Sequence, residues 1–112
     1  MSVLTGLEVA QIGDGLAAAV CGRLFADIGA RVACIDPAAA TPLRRHLDYG
    51  KTVVSGDPAT ARAAIAAADL IVCEGRPREL RARQYSLDAL RRLNQTAAIA
   101  ISASSTARTR AP

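Results

Sequence analysis

Aromatic residues are scarce in this chain of 112 residues: one Phe, two Tyr and no Trp, 3% in all. Modules that stack bases on successive aromatic rings need more than that, which argues against a nucleic-acid partner. Lysine is scarcer still: Lys51 stands alone beside thirteen Arg. The single histidine, His46, has no Cys or His partner at metal-ligand spacing, so a metal site is rejected. The three cysteines, Cys21, Cys34 and Cys73, form no C-x-x-C pair, and their number is odd. Each sits in an apolar run, where a free thiol behaves as a small hydrophobe. Buried thiols and a reducing cytoplasm are the expectation. No apolar stretch is long enough for a membrane span, and Met1–Leu4 lacks the basic start of a signal peptide.

What remains is ordinary for a globular domain, with 51% hydrophobic and 21% charged residues. The length fits one domain. The 25 Ala predict a core of small aliphatic side chains. The net charge of +4 is uneven. Residues 1–74 carry six bases against eight acids, net −2, and residues 75–112 carry eight Arg against Glu79 and Asp88, net +6. Arg forks suit phosphate and carboxylate, so a small anionic ligand is one reading and a solvated basic face is the other.

The apolar pattern alternates between short runs and helical periods. Leu7–Ile12, Arg31–Ile35, Thr52–Val54, Leu70–Cys73 and Ala97–Ile101 read as five strands. Between them, Leu16–Ile28 places Ala17, Cys21, Leu24 and Ile28 at steps of three or four, as an amphipathic helix stopped by Gly29. Asp57-Pro58 supplies a cap and a first-turn proline for a small-residue helix over 59–68. Ser86 caps a helix holding Leu87, Leu90 and Leu93. Residues 37–50 show no period and read as a loop carrying Arg44, Arg45 and His46, and Gly75-Arg-Pro77 reads as a turn. Strand–helix alternation predicts an α/β fold, a Rossmann-like doubly wound parallel sheet in the order 3-2-1-4-5 with helices on both faces. One module over residues 1–102 is expected, followed by a loose tail over 103–112.

Gly13-Asp-Gly15-Leu-Ala-Ala18 matches G-x-G-x-x-A between a strand and a helix, and Asp36 ends the next strand. In an NAD(P) or FAD site, Gly13 would permit the tight turn and Gly15 the close approach of pyrophosphate. Ala18 would pack helix on strand, and Asp36 would hold a ribose hydroxyl. The helix N-terminus attracts phosphate. Against this stands Asp14, a negative charge inside the turn, and any such turn needs a glycine for its backbone alone.

Further phrases point elsewhere. They are Leu4-Thr-Gly-Leu-Glu-Val9, Leu24-Phe-Ala-Asp-Ile-Gly-Ala-Arg-Val32 with Ile35-Asp-Pro37, Gly50-Lys51, Ala68-Asp-Leu-Ile-Val72 with Arg76-Pro77, Leu93-Asn94 and Ile99-Ala-Ile-Ser102. In order and spacing they resemble the N-terminal part of class III CoA-transferases, the relatives of formyl-CoA transferase, carnitine CoA-transferase and α-methylacyl-CoA racemase. The resemblance covers about residues 4–102 and implies a sheet that binds coenzyme A or acyl-CoA rather than NAD. It departs from the family in several places. Ala17-Ala-Ala19 stands for A-G-P, Cys34 for a lysine, and Cys73-Glu74-Gly75 for E-N-(F/Y), which removes an aromatic wall for adenine. Ala103-Ser-Ser105 replaces G-(F/Y)-G, and the family's catalytic aspartate lies beyond the matched stretch.

The resemblance implies CoA contacts at Gly13, Gly15, Leu16, Ala17, Asp36, Lys51, Glu74, Arg76 and Arg78. Lys51 and Arg76 or Arg78 would meet phosphates. No catalytic residue is assigned, because no Ser/His/Asp set is recognisable. Transfer chemistry would need more polypeptide, so a homo-oligomer or a second chain completing the fold is expected. A degenerate interaction domain without ligand remains the third reading.

Overall fold

The computed structural model describes residues 6–13, 15–35, 41–54, 58–75 and 77–102. The side chains of residues 44, 77 and 79 are not described. Asp14, Asp36, Asp57, Arg76 and the tail over 103–112 lie outside the described residues.

Five strands form one parallel sheet: β1 (Glu8–Ile12), β2 (Arg31–Ile35), β3 (Thr52–Val54), β4 (Leu70–Glu74) and β5 (Ala98–Ser102). Their order is β3-β2-β1-β4-β5, as the alternation predicts. The first strand is therefore central, with Ile12 opposite Ile35 on one side and Cys73 on the other. The amino ends of β1 and β4 are hooked together: Asp69 accepts from the Glu8 amide at 2.9 Å and its own amide donates to the Glu8 carbonyl at 2.7 Å.

Both faces are covered, which explains why the central strands read as continuous apolar runs. On one face, α3 (Pro58–Ala67), α4 (Pro77–Ala82) and α5 (Leu87–Leu93) pack Ile65, Leu80 and Leu90 against Ala10, Ile12, Ile35, Ile71 and Cys73. On the other, α1 (Leu16–Asp27) packs Ala18 against Val9, Val32 and Val72. Beside α1 runs α2 (Pro42–Leu47).

Three expectations need correction. The segment expected as a loop over 37–50 contains α2, so Arg45 and His46 sit on a helix, as does position 44. The turn expected at Gly75–Pro77 leads straight into α4. Each of these helices spans six residues and has proline at its first position, where the missing N–H costs nothing. Each is anchored by one buried leucine, Leu47 or Leu80, too few to show a period. Third, most of the apolar stripe expected of α1 turns away from the sheet: Ala17, Leu24 and Ile28 are exposed, and Cys21 alone of the four packs against the core. Leu24 is 61% exposed and Leu16 52%, whereas Ala18, Ala19 and Gly22 are buried. Small residues win because they let the helix backbone lie close to the strands; a Cβ on Gly22 would overlap the Gln11 side chain.

Asn94 closes α5 and ties three elements together. Its amide donates to the carbonyls of Ile65, Ala66 and Ala68, and its Oδ1 accepts from the Thr96 and Ala97 amides at 3.1 and 3.0 Å. The Leu93-Asn94 phrase thus has a structural reason: a buried amide fixing the exit of α3 to the entry of β5.

Candidate functional site

The carboxyl edge of the sheet gathers the ends of β1, β2 and β4, the first turn of α1 and the start of α4. Ligands of open α/β sheets bind at such an edge. The glycine turn sits there, between β1 and α1. Gly13 has φ +115, a conformation that L side chains rarely adopt, and a Cβ on it would overlap the backbone carbonyl of Glu74. Gly15 has ordinary extended angles, φ −77 and ψ 157, so it is glycine for space alone.

The space at Gly15 is taken by the Glu74 carboxylate. Its Oε1 accepts from the Ala18 amide at 2.8 Å. Gly15 is the N-cap residue of α1 and has no side chain to cap with, so Glu74 satisfies one of the free amides instead. A negative charge at a helix N-terminus is also favoured by the helix dipole. The anion position that a G-x-G-x-x-A turn offers is therefore filled by the chain's own carboxylate. An incoming pyrophosphate at that point would meet like charge.

Leu16 and Ala17 are exposed beside this turn. Arg78 is exposed on α4. Asp36 and Arg76 lie outside the described residues, so their expected ligand contacts have no geometry here.

Lys51 is placed differently from the expectation. Its side chain is 0% exposed, and its ammonium donates to Gln11 Oε1 at 2.7 Å, the Ala19 carbonyl at 2.9 Å and Asp48 Oδ1 at 3.3 Å. It points under α1 and joins the start of β3 to β1. Gln11 is fully buried, with its Nε2 donating to Cys34 Sγ at 3.3 Å. A buried ammonium needs such partners, because an unpaired one costs several kcal/mol to desolvate (about 2–7 kcal/mol even for a neutral polar group). Sequence reasoning passed over Gln11. A glutamine inside an apolar strand, in a chain with a single lysine, was the available signal.

Cys34 and Cys73 are buried as expected, whereas Cys21 is only half-buried; all three are free. Burial pushes the Cys73 thiol up to about 11, against the pull of the Arg83 guanidinium, so it is no nucleophile at neutral pH. Among the described residues no group of His, Cys, Asp and Glu could hold a metal ion, and no helix is long and apolar enough to cross a membrane.

No protein-family model matches the sequence, and no curated protein matches it. Solved structures do match in fold. Rv3272 of Mycobacterium tuberculosis superposes with a TM-score of 0.71 at 20% identity, over 90% of this chain and 32% of that one. A CAIB/BAIF family protein from Brucella suis superposes with a TM-score of 0.76 at 18% identity, over 89% and 33%. The chain spans about a third of the length of these structures. CAIB/BAIF is the class III CoA-transferase family that the motifs resemble. The chain thus has the α/β sheet fold shared with part of a CAIB/BAIF protein and of Rv3272.

Proposed function

We propose that this chain is a CoA- or acyl-CoA-binding module of the class III CoA-transferase type, incomplete for transfer chemistry by itself. The observation that carries the reading is the agreement of two independent likenesses. The motif order over residues 4–102 and the sheet fold both point to the same family. The ligand would lie along the carboxyl edge, past the exposed Leu16 and Ala17, with Arg76, Arg78 and Asp36 at its phosphate and ribose end.

Glu74 and Lys51 take supporting parts in this reading rather than direct contacts. The carboxylate holds the turn that borders the site, and the ammonium holds α1 on the sheet. With the helix N-terminus already occupied by a carboxylate, NAD(P) or FAD bound in the usual dinucleotide manner is disfavoured. The family's nucleophilic aspartate has no counterpart in the matched stretch, so exchange of CoA between acids would need further polypeptide. A longer stretch of the same polypeptide, a second copy or another chain would each supply it, and the exposed apolar side chains of Leu16, Val20 and Leu24 along α1 suit an assembled state. Three free cysteines suit a reducing cytoplasm.

Calorimetry with CoA, NAD and NADP tests the reading. Heat with CoA and none with the dinucleotides is expected, with no thioester exchange above a heat-killed control. Heat with NAD that disappears in Asp36→Ala would restore the dinucleotide reading. No heat with any of the three at millimolar concentration would leave a ligand-free interaction module. The self-filled anion position at Gly15 is the specific observation on the side of that second reading.

A further inference from the structure

On the face of the sheet opposite α1, a concavity of about 940 Å³ opens between α3, the α4–α5 turn and α5. Its size is within the range of small-molecule sites. Four arginines line it from separate elements: Arg62 on α3, Arg81 on α4, Arg83 in the turn and Arg92 on α5. Among the described residues no acidic one lines it. Arg62, Arg81 and Arg92 form no ion pair with another described residue. One solvated helix face would give arginines at a helical period on one element; here three helices and a turn converge.

The turn itself is shaped for this. Gln84 is the one non-glycine among the described residues with positive φ, at 64. Its amide donates to the Arg81 carbonyl at 3.0 Å, and the Tyr85 amide to the Leu80 carbonyl at 2.7 Å, which ends α4 abruptly. Glycine is the usual residue at such a position, and a glutamine there is strained. The turn sets Arg83 over the Tyr85 ring, 5.6 Å from its centroid, at the wall of the concavity.

We propose that this concavity binds a small ligand carrying clustered phosphates, held by Arg62, Arg81, Arg83 and Arg92. The guanidiniums of Arg62, Arg81 and Arg92 around one hollow repel one another, and a ligand with several negative charges relieves that repulsion where a single carboxylate would not. Guanidinium forks fit phosphate oxygens in pairs. A nucleic-acid strand is disfavoured because Tyr85 is the only aromatic among the described residues lining the hollow, and strand-binding grooves stack successive bases. The inference does not rest on the CoA reading, which concerns the carboxyl edge.

The test is calorimetry of the full chain with tripolyphosphate, ATP, orthophosphate and CoA. It compares wild type with R62Q, R81Q, R92Q and the double variant R81Q/R92Q, all at exposed positions, with circular dichroism confirming the fold. Tripolyphosphate and ATP should bind, more tightly than orthophosphate and less tightly as salt rises. Each single substitution should weaken them about three- to tenfold, the effect of one screened charge-assisted contact. ATP tighter than tripolyphosphate identifies an organic phosphate as the ligand, and equal affinity an inorganic one; either supports the site. Absence of heat with both, or affinity unchanged in R81Q/R92Q, overturns it. So does a single-stranded oligonucleotide that binds more tightly than either. CoA bound equally by wild type and R81Q/R92Q would keep the carboxyl-edge reading, whatever tripolyphosphate shows.

Discussion

The Glu74 carboxylate fills the space that a side chain on Gly15 would need, while its Oε1 holds the Ala18 amide at 2.8 Å. The two residues lie in different strand–helix units, and the contact turns a motif that resembles a ligand cradle into an internal cap.

Gly15→Ala should therefore act by displacing that carboxylate. The backbone angles at Gly15 suit alanine, so the cost is the lost cap, about 0.5–2 kcal/mol. Glu74→Ala should cost about the same, and the double variant no more than either alone. Urea denaturation of the three variants measures this cycle; additive losses would contradict the shared contact. Gly13→Ala differs, because the obstacle is the Glu74 backbone carbonyl at positive φ. It should cost about 1–3 kcal/mol, in the Glu74→Ala background as well.

Lys51→Met should lower stability rather than ligand affinity. The substitution leaves Gln11 Oε1 and the Ala19 carbonyl without their buried donor, at about 1–3 kcal/mol per group. The urea midpoint should fall while calorimetry with CoA is unchanged for the folded fraction. Lost affinity with unchanged stability would put the ammonium at a ligand instead.

Thiol reactivity should separate the three cysteines. A disulfide reagent should modify half-buried Cys21 first in the native chain and reach Cys34 and Cys73 only on unfolding. Cys73 also gives a pH dependence. Its folded value, about 11, lies above its ordinary 9.0, so the folded state favours the protonated thiol. The stabilisation is fully present below about 9 and is lost as pH rises through about 11. Urea midpoints taken across the alkaline range should fall, and less steeply in Cys73→Ala.

Much of the fold was legible because its cause is local. Arg31–Ile35 and Leu70–Glu74 are apolar on both sides of the strand since both faces of the sheet are covered, and that shows as unbroken runs. The strand order matches one of the two common doubly wound orders that such alternation allows. What escaped depends on packing across distance. The choice of Ala18, Ala19 and Gly22 over Leu16 and Leu24 as the buried face of α1 was made by the closeness of the sheet, which periodicity does not register. Helices α2 and α4 are too short for a period, and each stands on a single leucine. At the site, G-x-G-x-x-A was visible, but its occupant comes from Glu74, a partner that only the β1–β4 pairing brings near. Lys51 was noticed for being alone; its inward direction depended on Gln11, a polar side chain among Val9, Ala10 and Ile12 whose partner only the folded chain brings near.

The central place of β1 shapes how the chain meets the ribosome. Residues 8–54 contain both partners of the β1–β2 and β2–β3 pairings and the helix α1 that covers them. The other side of β1 waits for residues 70–73, so the run from Val9 to Ile12 presents an open strand edge during vectorial synthesis. Such an edge is a template for unwanted pairing. Slowing translation between residues 54 and 70 should accordingly raise the insoluble fraction, and faster delivery of β4 should lower it.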